Sequence, residues 1–285
     1  MKITVETFTV HKKFALKISR GTTAQTTNVW LRLKEENIEG WGEASPFSVD
    51  KSKPKNTSKL LAELEAVIPQ LEQYHPIERQ QIRLELQRAR ISSAAKAAID
   101  MALYDWLGKK ANLPLWKIWG LNPDLIVPIS VTIGISTPED AVKRLKDWQD
   151  TLDVKMIKLK LGSPQGIEAD KAMLAAIRGV APHTRLMVDA NGGWKFDDAI
   201  SMAQWLAKQG VEYIEQPLAV VEDSKLRALS EQSPLPIFVD ESCFDSADIP
   251  RLADSVAGVN LKIMKAGGLT EVIQAIHIAK ACNLK

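Results

Sequence analysis

The sequence predicts an α/β protein, a parallel (β/α) barrel preceded by a smaller α+β domain. Two observations predict it. First, the short apolar segments MIKLKLG, RLMVDANGGW, VEYIEQP, PIFVDES and VNLKIMKAGG carry a charged side chain at or near their C-terminal ends: Lys160, Asp189, Glu215, Asp240 and Lys262. These charges lie 29, 26, 25 and 22 residues apart (189 − 160, 215 − 189, 240 − 215, 262 − 240). That interval fits one strand, one helix and two loops, and functional groups at successive strand C-termini are how a (β/α) barrel builds its active site. Second, the chain before Pro123 does not keep this rhythm. We therefore expect a domain over 1–122 and a barrel domain over 123–285.

In the first region ITVETFTV and NVWLRL alternate, and a turn-prone EENIEG leads into WGEAS; residues 2–45 read as an antiparallel meander. Leu60, Leu61, Leu64, Val67, Ile68 and Leu71 recur at helical spacing. Pro76 opens a second helix running to about Arg90. Ser92 or Ser93 caps a third, whose Ala94, Ala97, Ala98, Met101, Ala102 and Tyr104 present small-residue faces for close packing. PLWKIWG is a short helical turn before a linker. Six barrel strands follow, over 126–135, 154–161, 184–190, 211–216, 236–241 and 257–263, each leading to a helix. Thr137-Pro138-Glu139-Asp140 is a cap, a first-turn proline and first-turn acids. The last helix runs from Thr270 to about Ala281. A barrel of this type closes with eight strands, so the sequence stops before closure; Asn283-Leu284-Lys285 reads as entry to a seventh strand, and the expectation is a truncated chain.

Bulk properties exclude several function classes. Thirty-seven basic against 35 acidic residues leave a net charge of +2, with no concentrated basic surface for nucleic acid. Cys243 and Cys282 are too few for a disulfide scaffold and lack metal-binding spacing. No stretch approaches the roughly 20 apolar residues that span a bilayer, and the N-terminus lacks a signal-peptide run. A reducing cytoplasm is the simplest compartment.

Lys158 and Lys160 are two apart on one strand and share a face, while Ile157, Leu159 and Leu161 take the other. The lysines then point into the barrel. Holding a lysine neutral at pH 7 costs ~4.6 kcal/mol, and a neighbouring positive charge reduces that cost. Lys160, nearer the mouth, reads as a base and Lys158 as its electrostatic partner; the alternative is a half-exposed strand with lysines in water. Asp189, Glu215 and Asp240 converge at the mouth and repel unless a cation lies between them. An all-oxygen donor set suits Mg²⁺ first and Mn²⁺ second. Three helix caps are the alternative, which Glu215 fits poorly. Lys262 faces the mouth opposite Lys160, and Lys265 lies at or beyond the strand end as the lesser proton carrier. Trp194 is a pocket wall or a core anchor.

In this order K-x-K, D-A-N-x-x-W, E-Q-P, D-E-S and N-x-K-x-x-K-x-G-G resemble the enolase superfamily, its muconate-lactonizing subgroup in particular. WGEASPF and SAAKAAIDMALYDWLGKKANLPLWKIWG resemble that subgroup's N-terminal capping domain. The resemblance implies a (β/α) barrel of the enolase-superfamily type with an α+β cap. It implies Mg²⁺ on Asp189, Glu215 and Asp240, with Lys160 and Lys262 as the acid/base pair. It also implies a mobile loop over the barrel mouth, here Phe14 to Thr27, in which Arg20 meets a substrate carboxylate; Phe14, Asn191 and Lys265 complete the candidate substrate contacts. VTIGISTPED and NLKIMKAGG most resemble dipeptide epimerases of the L-Ala-D/L-Glu kind. These invert the carbon beside a carboxylate through an enediolate, and their Asp-x-Asp on the eighth strand falls beyond this sequence. Other members would be an o-succinylbenzoate synthase, an N-succinylamino-acid racemase or a muconate cycloisomerase, and a catalytically silent fragment is the reading of another class. The expected partner is a small carboxylate substrate, a dipeptide, with no nucleic acid and no membrane; a homo-oligomer is compatible.

Overall fold

The computed structural model describes residues 1–46 and 56–285. Phe47 of the WGEASPF motif lies outside the described residues. Among the described residues there are two sheets, one of three strands and one of six. Packing divides the chain into two compact units. One comprises 1–12, 25–126 and 261–277, the other 13–24, 127–260 and 278–285. These units do not follow a single cut after residue 122, because the tip of the first hairpin packs with the barrel residues and the Lys262 region packs with the cap residues.

The first sheet is a meander of β1 (Lys2–Ile18), β2 (Gly21–Glu35) and β3 (Ile38–Ala44) in sequence order. Phe14 to Thr27 is therefore the end of a long hairpin rather than a loop: alternating residues carry the strands through to a turn at Ser19-Arg20. Behind the sheet lie α1 (Thr57–Leu71), α2 (Arg79–Arg88), α3 (Ser93–Ala111) and the short α4 (Leu115–Ile118). Ser92 caps α3, its hydroxyl accepting the Ala95 N–H at 3.3 Å. Val29, Leu31 and Leu33 of β2 join Leu60, Leu64, Ile82, Ile99 and Trp106 in one core.

The alanine face of α3 meets β3 backbone to backbone. A Cβ on Gly42 would lie 1.9 Å from the Ala98 carbonyl oxygen, and one on Gly40 would lie 2.1 Å from that of Ala102. Neither contact is with a flexible side chain, so the helix itself would have to move. Gly42→Ala should cost roughly 3 kcal/mol, measured by denaturant unfolding; a loss below about 1 kcal/mol would mean that the helix–sheet contact is soft.

The second sheet is parallel, in the order β4 (Ser130–Ile133), β5 (Met156–Lys160), β6 (Arg185–Asp189), β7 (Val211–Glu215), β8 (Ile237–Val239) and β9 (Gly258–Val259). Its helices are α5 (Pro138–Gln149), α6 (Ile167–Val180), α7 (Phe196–Lys208), α8 (Leu226–Gln232) and α9 (Ile249–Leu252). Thr137 caps α5 as expected, accepting the Asp140 N–H. Ile157, Leu159, Leu186, Val188, Ile214 and Val239 are wholly buried on the helix-facing side.

Two strands are shorter than the apolar runs imply. The first is confined to Ser130–Ile133, and Ile126, Val127 and Ile129 are exposed. The sixth ends at Val259, after which Ile263–Ala266 forms the short helix α10, followed by α11 (Leu269–Ala281). Lys285 donates its N–H to the Ala257 carbonyl at 3.0 Å and accepts from the Val259 N–H at 2.9 Å, so the chain re-enters the ladder beside β9. Among the described residues no helix is long and apolar enough to cross a membrane.

Candidate active site

Strand register aligns three of the predicted groups. Lys160 stands opposite Asp189, and Asp189 opposite Glu215. The second pairing depends on an irregularity. Leu186 pairs with Val211, but Val188 pairs with Ile214, so β7 gains one residue over β6. Without that bulge Ile214 would stand opposite Asp189, and Glu215 would face the helices. Next, Glu215 pairs with Phe238. Asp240 lies two residues past Phe238, on the same side of the sheet by the period of two.

Beneath these charges the interior face is filled. Tyr213 and Phe238 lie with ring centroids 4.5 Å apart, and the Tyr213 hydroxyl lies 2.9 Å from Met187 Sδ. The charged ends thus rest on an apolar floor, which weakens dielectric screening between them.

Asp189, Glu215 and Asp240 are buried, and Lys160 is almost so. Lys158 Nζ lies 2.7 Å from Glu215 Oε2 and 3.0 Å from Asp189 Oδ2, while Lys160 Nζ lies 2.5 Å from Asp189 Oδ2. Asn260 Nδ2 donates to Glu215 Oε1 at 2.8 Å, so both Glu215 oxygens have partners. Burial alone would push Asp189 up, but the ammonium charges of Lys158 and Lys160 outweigh it and hold the carboxyl far below its ordinary range. Glu215 moves the other way, raised by burial and by the charge of Asp189. Burial lowers Lys158, yet Asp189 and Glu215 more than reverse this and raise it above the usual lysine range. Lys158 thus lies between two carboxylates that raise it, where a neighbouring lysine alone is expected to lower it.

A second group adjoins the first. The backbone N–H of Asn191 donates to Asp189 Oδ1 at 2.9 Å, and Asn191 Nδ2 donates to Glu241 Oε1 at 3.1 Å. Arg20, from the hairpin tip, forms an ion pair with Glu241, and Ser19 donates its hydroxyl to the Asn191 carbonyl at 3.2 Å. Asn191 Oδ1 and Glu241 Oε2 are buried without a hydrogen-bond partner. Phe14 is placed elsewhere. Its ring stands edge-on to Trp148 of α5, centroids 5.0 Å apart, with the Arg144 guanidinium 3.8 Å from its centroid.

Two side chains with no role assigned from sequence, Gln216 of E-Q-P and Asp170 of α6, brace these loops. Gln216 accepts the Asp240 and Ser242 N–H groups at 2.9 and 3.1 Å, and donates to the Leu218 carbonyl and the Ser242 hydroxyl oxygen, both at 2.8 Å. Asp170 accepts the Gly162 and Ser163 N–H groups and the Trp194 indole N–H. Trp194 is buried by that bond, as a brace rather than a pocket wall. Glu241, in D-E-S, and Asn260, in N-x-K, also sit in the quoted motifs; charge and spacing were visible there, but their partners were not.

Lys262 is the N-cap of α10, with extended φ −124° and ψ 128°, rather than the end of a strand over 257–263. Lys265 lies within α10 and is buried. Both belong to the unit that holds the cap residues.

Among the described residues no three carboxylate, imidazole or thiol groups are gathered as a metal cluster. The chemistry of the donor set nevertheless fits a hard divalent cation. Asp189, Glu215 and Asp240 are buried oxygen donors from successive strand ends, and the first two already hold a positive charge, the Lys158 ammonium, between them.

Residues 2–120 match the N-terminal domain family of mandelate racemase and muconate lactonizing enzyme, and residues 140–285 match the enolase C-terminal domain-like family. The chain is 41% identical to the hydrophobic dipeptide epimerase of Flavobacteria bacterium (strain MS024-2A), over all of this chain and 81% of that protein. It is 30% identical to the L-Ala-D/L-Glu epimerase of Bacteroides thetaiotaomicron, over all of this chain and 72% of that protein. Among solved structures, the dipeptide epimerase of Enterococcus faecalis V583, complexed with Mg and the dipeptide L-Leu-L-Tyr, superposes with a TM-score of 0.89 at 30% identity, covering all of this chain and 80% of that one. With its capping sheet, its parallel strands and its charged strand ends, the chain belongs to the mandelate racemase/muconate lactonizing enzyme family of the enolase superfamily.

Proposed function

We propose that this chain is an isomerase, a dipeptide epimerase that inverts the carbon beside a carboxylate by proton transfer between two lysines, with Mg²⁺ as cofactor. The observation that carries this reading is the rung Lys160–Asp189–Glu215, an amine and two carboxylates aligned on adjacent strand ends in a chain whose relatives are dipeptide epimerases.

Inversion needs one proton-transfer group on each face of the α-carbon. Lys160 is assigned to one face and accepts the α-proton; Lys262, as the ammonium, delivers a proton to the other, and the reverse reaction exchanges their roles. Asp189, Glu215 and Asp240 would hold the metal, with Mn²⁺ the second choice. When bound, the metal supplies positive charge against the substrate carboxylate as the α-proton leaves. Lys158 remains a fixed ammonium that orients Asp189 and Glu215. The Ser19 and Arg20 contacts hold the hairpin tip against the Asn191 and Glu241 loops, where it would exclude water.

An apolar dipeptide is the preferred substrate class. Identity is higher to relatives named hydrophobic dipeptide epimerases, 41% and 39%, than to the Bacteroides thetaiotaomicron L-Ala-D/L-Glu epimerase, 30%. In heavy water with Mg²⁺, L-Ala-L-Leu should take up deuterium at the C-terminal α-carbon with inversion, with kcat/KM about tenfold or more above that for L-Ala-L-Glu. NMR reads both quantities. Absence of α-exchange from every dipeptide tested would remove the epimerase reading, and preference for L-Ala-L-Glu would remove the apolar assignment alone.

A further inference from the structure

Lys262 is followed by a four-residue helix, too short to be stable by its own hydrogen bonds, then by Gly267-Gly268. The next helix, α11, begins at Leu269 with glycine before it, so its own sequence offers no capping side chain.

The cap comes from a residue 170 positions earlier. Asp100 of α3 accepts the Thr270 N–H at 2.9 Å through Oδ2 and the Thr270 hydroxyl at 2.6 Å through Oδ1. A carboxylate there meets both the orphan donors and the positive end of α11. Gly268 has φ +129°, and a Cβ on it would lie 2.5 Å from Asp100 Oδ2, so the glycine makes room for this carboxylate. Met264 of α10 packs on the core formed by the meander and α1–α3, and Lys265 and Ala266 are buried.

We propose that Asp100 is a positioning residue for the reaction, fixing the backbone on which Lys262 depends by capping α11 from α3. This rests on the reading of Lys262 as one of the two proton-transfer groups. Lys160 is carried by β5 and does not depend on this cap. A displacement of about 1 Å at a reacting group costs roughly 100-fold in rate, so loosening the segment should harm one face of the reaction and spare the other.

The experiment is α-proton exchange in heavy water, started separately from each epimer of the dipeptide, on wild type, Asp100→Ala, Asp100→Asn, Thr270→Val and Lys262→Ala. Asp100→Ala should slow exchange of the epimer served by Lys262 by about tenfold or more, leave the other within about twofold, and act on kcat rather than KM. Asp100→Asn, which keeps one acceptor, should recover part of that loss. Thr270→Val, which deletes only the hydroxyl contact, should show a smaller loss of the same one-sided kind. Should Asp100→Ala fail to fold, the last two variants carry the same test. Equal loss for both epimers, or no loss for either, overturns the positioning role while leaving the two-lysine reading intact. Lys262→Ala reports on that reading separately: if both epimers still exchange at wild-type rates, Lys262 is not a proton-transfer group, and the role of Asp100 falls with it.

Discussion

Lys160→Ala should reduce epimerisation by about 1,000-fold or more while the protein stays folded. Lys160 lies next to Asp189 by strand register and by ion pair, and it is nearly buried. Its removal deletes the group assigned to one face of the α-carbon. The loss should be one-sided: epimerisation stops, because inversion needs both faces, yet the epimer served by Lys262 still exchanges its α-proton with solvent. Circular dichroism establishes folding, and NMR in heavy water reads exchange from each epimer. Lys160→Met, which keeps an unbranched side chain without the charge, should behave alike. Near-normal turnover in either variant would show that the base lies elsewhere. Loss of both exchanges in a folded variant would show that Lys160 organises the site instead of serving one face.

The second large effect is expected at Asp189→Asn. Asp189 is wholly buried and is in contact with both Lys158 and Lys160; its Oδ1 also accepts the Asn191 N–H. The amide keeps the shape but deletes the charge. It removes the carboxylate that Lys158 and Lys160 share, a strongly unfavourable change in a poorly screened interior. Three consequences should appear together: Mg²⁺ affinity by calorimetry falls by about tenfold or more, epimerisation falls by about 1,000-fold or more, and unfolding stability drops by roughly 3 kcal/mol. Unchanged Mg²⁺ binding would remove Asp189 from the metal site. Asp240→Asn is the informative partner, since Asp240 is buried at the next strand end but is not drawn into a three-carboxylate cluster. If it too weakens Mg²⁺ binding, the three carboxylates act as one site.

Much of the candidate site is legible as pattern. A charge closing a short apolar run is conspicuous because such runs otherwise end in glycine, proline or small polar residues, and a nearly constant interval ties those charges to one repeated unit. Lys160, Asp189 and Glu215 were found this way, and register placed them side by side. The same logic failed where an apolar run was not a strand. Ile126, Val127 and Ile129 belong to the apolar run IVPISVTIGI, yet they lie exposed outside β4. Leu261 to Met264 continue the apolar pattern of the sixth strand, but Ile263 and Met264 lie in a short helix and Lys262 caps it. Periodicity over three or four residues does not separate a strand end from a helical turn.

The sequence by itself determined the order of elements, the two sheets, the small-residue face of α3 and the charges that close β5, β6 and β7, because each is written in neighbouring residues and follows from local periodicity. Tertiary structure alone decided three things. One is the bulge in β7 that turns Glu215 rather than Ile214 towards Asp189. Another is the position of Lys158 between two carboxylates, which raises it where a neighbouring lysine would have lowered it. The third is the capping of α11 by Asp100 from α3. All three rest on groups far apart along the chain, and electrostatic and hydrogen-bond energies depend on distance in space, which local pattern does not encode.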